Sequence, residues 1–97
     1  MKSIDNIRNI LIHNHSDLSK NFHVRRFGIF GSVAKGTTVE KSDIDMLVEF
    51  TRPISLFQFI ALEQKLTELL GSPIDLATPD ALKPAVRNTI LRQTIYV

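Results

Sequence analysis

The segment Asp43 to Phe50 (DIDMLVEF) leaves the chain the least freedom. Ile44, Met46, Val48 and Phe50 are apolar and alternate with Asp43, Asp45, Leu47 and Glu49. Side chains of a strand point alternately to its two faces, so this pattern predicts a strand with one face on a core and the other bearing acids. Strands need neighbours, and two other segments supply them. Arg26 to Phe30 (RFGIF) is a short apolar run stopped by Gly31, which predicts a buried strand. Pro73 to Ala77 (PIDLA) predicts a third, with Ile74 and Leu76 on one face and Asp75 on the other.

Helical spacing accounts for most of the remainder. Ile4, Ile7, Leu11, Leu18 and Phe22 predict an amphipathic helix over about residues 3 to 21, weakest near Asn14-His15. Ser32 to Lys35 reads as one helical turn, and Gly36 to Ser42 as a polar loop. Ser55 and Gln58 have the spacing of a capping box, and Gly71 is a left-handed stop. Between them, Leu56, Phe59, Ile60, Leu66, Leu69 and Leu70 are expected to form the apolar stripe. Thr78 and Pro79 are expected to open a last helix packed through Leu82, Val86, Ile90 and Leu91. The order helix, strand, turn, strand, helix, strand, helix predicts an α/β fold. Its small mixed β-sheet has helices packed on one face and leaves the other open for a site. At 97 residues, the chain is read as a single domain spanning 1–97.

Composition narrows the chemistry. The absence of cysteine excludes a disulfide framework, a thiolate zinc site and a cysteine nucleophile. No apolar run approaches membrane-spanning length, and the N-terminus does not read as a signal peptide, so the expected location is cytoplasmic with no membrane partner. The net charge of +2 comes from dispersed basic residues, which argues against nucleic acid as the main partner.

Asp43 and Asp45 stand two apart on one strand, so their carboxylates leave the same face about 7 Å apart at the roots. Such a pair can converge on shared divalent cations, and Asp75 on the next strand could join it. Carboxylates gathered without a cation repel one another, whereas Mg²⁺ prefers hard oxygen ligands. Taken alone, an Asp-x-Asp is usually a solvated strand end, and an Asp such as Asp75 is often a turn or cap residue. Upstream, Gly31-Ser32 lies where a buried strand turns into a helical start. Glycine lets the backbone approach a ligand, and the following N–H groups favour phosphate oxygens. Lys35 could add a phosphate contact or could be a surface lysine.

The stretch GSVAKGTTVEKSDIDMLVEF resembles the nucleotidyltransferase signature of the polymerase-β-like superfamily: Gly-Ser, an intervening decapeptide, then Asp-x-Asp, met at Gly31, Ser32, Asp43 and Asp45. PIDLATPDALKPAVRNTILRQTIYV resembles the C-terminal segment of the minimal nucleotidyltransferases (MNT proteins). The resemblance implies that Asp43 and Asp45 bind two Mg²⁺ ions and the phosphates of the nucleotide. It further implies that Asp75 completes the metal site and helps deprotonate the acceptor, and that Gly31 and Ser32 hold the terminal phosphates. Lys35 departs from the arginine of many relatives, keeping the charge but losing the bidentate fork. In that family the acceptor is typically a tyrosine of a HEPN-domain toxin, adenylylated with ATP, and the MNT protein is the antitoxin. Two other classes remain open: a binding antitoxin without catalysis, and a catalytic subunit that modifies a small molecule or an RNA end. Ile95, Tyr96, Val97 and Phe57 are candidate apolar surface for a partner or for a homo-oligomer.

Rival motifs do not fit. In GSVAKGTT the lysine precedes the second glycine, whereas a P-loop needs it after. An EF-hand would need an oxygen ligand where Leu47 stands. His13 and His15, two apart on a helix, diverge.

Overall fold

Residues 3–34 and 43–97 are described by the computed structural model. The predicted turn's last residue, Lys35, and the predicted loop Gly36 to Ser42 lie outside the described residues. Ser3 caps α1 (Ile4–His13), its hydroxyl accepting from the Asn6 N–H at 3.3 Å. The expected single helix divides at Asn14, and α2 (His15–Phe22) follows at once. The Asn14 side chain donates to the Ile10 carbonyl at 2.8 Å, a local bond that satisfies the end of α1 and competes with helix continuation.

β1 (Val24–Phe30) runs into the short α3 (Gly31–Ala34), and β2 (Ile44–Phe50) lies antiparallel to β1. α4 (Leu56–Leu70) is the crossover that returns the chain to β3 (Ile74–Ala77), parallel to β2. A 3-10 turn (Pro79–Ala81), α5 (Pro84–Gln93) and β4 (Ile95–Tyr96) complete the chain, with β4 antiparallel to β1. The mixed sheet has the order β3-β2-β1-β4. No helix of the described residues is long and apolar enough to cross a membrane.

The alternation read from β2 holds on the core side, whereas Leu47, of the opposite parity, is also buried, so the acid face is not open along its whole length. Ile44, Met46 and Val48 are buried in a core shared with Ile29 of β1, Ile74 and Leu76 of β3, and side chains of α1, α2 and α4. None of the α5 side chains belongs to that core; α5 lies against α3.

The capping box of α4 forms as expected, Gln58 N–H to Ser55 Oγ and Ser55 N–H to Gln58 Oε1, each at 3.1 Å. Gly71 ends the helix at φ 69°. Replacing Ser55 with alanine is expected to remove about 1 kcal/mol of stability. In a domain this small that lowers the melting temperature by roughly 4–8 °C, which thermal unfolding would register. An unchanged melting point would show that the box contributes nothing.

Three expectations about packing need correction. In α4 the buried residues are Leu62, Leu66 and Leu70, whereas Leu56 is 71% exposed and Ile60 43%. The sheet covers one narrow stripe of that helix, and its first turn extends past the edge of the core. Thr78 and Pro79 open only the 3-10 turn, and Thr78 makes no side-chain cap. The reason is Lys83-Pro84: a residue before proline is driven out of the helical region, so Lys83 is extended (ψ 133°) and the helix begins afresh at Pro84. α5 buries no residue fully, and Val86 is 44% exposed. Finally, Ile95 and Tyr96, expected only as surface, also form a fourth strand, β4, with Ile95 opposite Ile29 and Tyr96 opposite Gly28, while Tyr96 stays partly exposed as expected. Thr94 Cγ2 and the Tyr96 ring occupy the space that a side chain at position 28 would need.

Candidate active site

Register decides what the acid face carries. In the parallel pair, Asp45 is the direct partner of Asp75. Adjacent strands lie about 4.8 Å apart, so these two carboxyl groups leave the same face side by side. Asp43 shares their parity but sits one residue before β2 and is exposed. Asp75 is exposed as well, and Asp45 is half-buried.

On the other side of Asp45 is the end of β1. Phe30 is its register partner, and Gly31 follows at φ 73°, in the left-handed region. A methyl group at Gly31 would overlap the Asp45 carboxylate, with Cγ only 3.0 Å and Cβ 3.2 Å away. The bare backbone therefore rests on the carboxylate, and the first turn of α3 starts beside it. Ser32 lies within α3, one residue on from that contact. Pairing of β4 with Ile29 and Gly28 holds the part of β1 that delivers Gly31. The sequence reading missed this support, although three β-favouring residues in a row, Ile95-Tyr96-Val97, signal it.

Electrostatics report the crowding. The Asp45 carboxyl is pushed above the usual carboxylate range, first by burial, then by repulsion from Asp75 and Asp43 and by a hydrogen bond with Asp75. The structure thus brings Gly31, Asp45 and Asp75 together, with Asp43 near enough to act on Asp45. Among the described residues, no group of three His, Cys, Asp or Glu side chains is gathered tightly enough to grip one ion. Uncompensated carboxylates favour such spreading.

A pH dependence follows. A folded-state pKa above the unfolded value, about 3.9, means that the folded chain binds this proton more tightly. That contribution to stability is complete below the unfolded pKa and is lost as pH rises through the folded one. Without divalent cations, Asp45→Asn is therefore expected to melt above the wild type at pH 7. The advantage should shrink on approach to about pH 4. A difference that does not vary with pH would refute the raised Asp45 carboxyl.

A cross-strand carboxylate pair beside a glycine turn, on the acid-bearing face of a small mixed sheet, has the arrangement expected of a nucleotidyltransferase centre. Comparison with known proteins agrees: the family model "Nucleotidyltransferase domain" matches residues 5–97. Protein adenylyltransferase MntA of Thermococcus cleftensis is 40% identical over 97 residues, covering 100% of this chain and 98% of the relative. A solved minimal nucleotidyltransferase superposes with a TM-score of 0.73 at 31% identity, covering 92% of this chain and 93% of that one. A chain of a toxin–antitoxin complex crystallised with AMP-PNP gives a TM-score of 0.72 at 26% identity, covering 91% of this chain and 69% of that one. The chain belongs to the nucleotidyltransferase domain family, in the branch of minimal nucleotidyltransferases that includes MntA.

Proposed function

We propose that this chain transfers AMP from ATP to a tyrosine hydroxyl of a HEPN toxin, and so acts as the toxin's cytoplasmic antitoxin. The observation that carries the reading is Asp45 flanked by Asp75 across the strand pair and by the backbone of Gly31. The MntA relative and the toxin–antitoxin likeness support the donor and the kind of acceptor.

The donor set fits Mg²⁺, because it offers hard oxygens, and burial together with repulsion from its neighbours already raises the Asp45 carboxyl. Asp43, Asp45 and Asp75 would hold two ions, and bound Mg²⁺ would supply charge neutralisation at the phosphates. Gly31 and Ser32 receive phosphate oxygens at the start of α3, with Lys35 as a further cationic contact. Asp75 lies outermost of the pair, on the edge strand, and takes the proton of the hydroxyl. The hydroxyl oxygen then bonds to the α-phosphorus, the bond from that phosphorus to the bridging oxygen breaks, and pyrophosphate leaves with the electron pair. Holding the two substrates in line supplies a large part of the acceleration.

The test is the intact mass of the protein that co-purifies with this chain, after incubation with ATP and Mg²⁺. Gain of whole AMP units, absent with Asp43→Asn plus Asp45→Asn, is the expected result. A partner left unmodified yet silenced equally by wild type and variant would replace this reading with a binding antitoxin.

A further inference from the structure

The strand that carries Asp75 is also the edge of the sheet, because β3 pairs with β2 alone. Its backbone polarity can be assigned. The Ile44 N–H donates to the Pro73 carbonyl at 2.9 Å, and Ile44 is the register partner of Ile74. In a strand, N–H and C=O groups of alternate residues point to opposite sides. Pro73, Asp75 and Ala77 therefore address β2, while Ile74 and Leu76 turn their backbone groups outward. Among the described residues no other backbone segment bonds to these outward groups. Exposed edges are usually blunted by charge, proline or a cover. From Ile74 to Ala77 the only charge is Asp75 itself.

We propose that the acceptor protein docks by adding an extended segment to the free edge of β3, with its hydroxyl-bearing residue opposite Asp75. The proposal rests on the reading of this chain as a protein adenylyltransferase and specifies how that site receives its acceptor. Cross-strand partners share a face. A residue opposite Asp75 thus projects onto the acid face beside the carboxylate that takes its proton. In an antiparallel addition, Asp75 belongs to a pair that exchanges no backbone bonds, the closer of the two pair types, about 4.5 Å between Cα atoms. The flanking residues bond to Ile74 and Leu76, and their side chains point to the other face. There a groove of about 440 Å³ lies between α4 and the start of β3, lined by Glu63, Gln64, Thr67, Glu68, Pro73 and Ile74. Its two carboxylates, Glu63 and Glu68, favour basic flanking residues in the acceptor segment.

Backbone parity supplies the test. Amide exchange is followed in the ¹⁵N-labelled chain, alone and in complex with the protein it modifies, using α,β-methylene ATP to block transfer. The Ile74 and Leu76 amides are expected to exchange at least about tenfold more slowly in the complex. Exchange at the free rates, in a complex that transfers AMP when given ATP, would overturn the docking mode. Glu63→Lys plus Glu68→Lys on α4, where Glu68 is exposed and Glu63 half-buried, gives an independent reading. It is expected to raise the KM for the acceptor protein by about tenfold with the KM for ATP unchanged, and an unchanged acceptor KM counts against the proposal. Intact mass separates the two claims. Slowed amides with no AMP gained would retain the docking edge and reject adenylyl transfer. AMP gained without slowed amides would retain transfer and reject the edge.

Discussion

An Asp45→Asn chain is expected to lose AMP transfer by on the order of a thousandfold or more, about 4 kcal/mol of transition-state stabilisation, while remaining folded. Asparagine has nearly the shape of aspartate, so the contact with Gly31 and the packing of β2 survive. Its neutral amide, however, cannot anchor a cation between Asp43 and Asp75. The loss should therefore lie in kcat, with binding of the partner protein intact. Two readouts distinguish this from simple damage. The variant should melt no lower than the wild type in the absence of metal, since it removes a carboxylate that burial and its neighbours disfavour. Added Mg²⁺ should stabilise the wild type and not the variant. A variant that transfers AMP at a tenth of the wild-type rate or better would remove Asp45 from the proposed chemistry.

The second large effect is expected at Gly31. Alanine there is penalised twice: at φ 73° a side chain costs about 1–2 kcal/mol, and its Cβ overlaps the Asp45 carboxylate. Backbone, not a flexible side chain, sets the position of that Cβ, so Asp45 must turn away or the start of α3 must move. Either response separates the phosphate turn from the carboxylate pair. Gly31→Ala is expected to lower the melting temperature by roughly 4–8 °C per kcal/mol lost. It should also reduce transfer by about a hundredfold, the effect of a misplacement of about 1 Å. Gly71→Ala is the control, since Gly71 is also left-handed, at φ 69°, but its N–H closes α4 on the Thr67 carbonyl and its backbone does not rest on a site carboxylate. It should share the loss of stability and keep the activity per folded molecule. Equal activity losses in both variants would show that Gly31 matters only to folding.

Much of the site was legible before the fold. Asp43 and Asp45 share a face because side chains in any strand alternate, and Gly31 stands where an apolar run must turn. The capping box at Ser55 and the stop at Gly71 are likewise local, each closed by hydrogen bonds within a few residues. The face of α4 was less legible. Leu56, Ile60 and Leu62 are equally apolar in sequence, and only the position of the sheet decides that Leu62 is buried while Leu56 is exposed. The separate start of α5 was visible in Lys83-Pro84, but the stronger cap signal at Thr78-Pro79 obscured it.

By itself, the sequence determined most of the elements, though not β4 or the division at Asn14, and the candidate residues for acting on a nucleotide. Each of these follows from the short range of backbone hydrogen bonds and from the period of side-chain direction. The tertiary structure decided which of those residues meet. Asp75 stands beside Asp45 because β3 pairs in parallel with β2 in one register, and a slip of one residue would turn Asp75 into the core. Burial of Ile74 and Leu76 beneath α4 excludes that slip. The same packing leaves the outer edge of β3 open next to Asp75. Both outcomes depend on contacts between residues far apart in the chain, which no local pattern records.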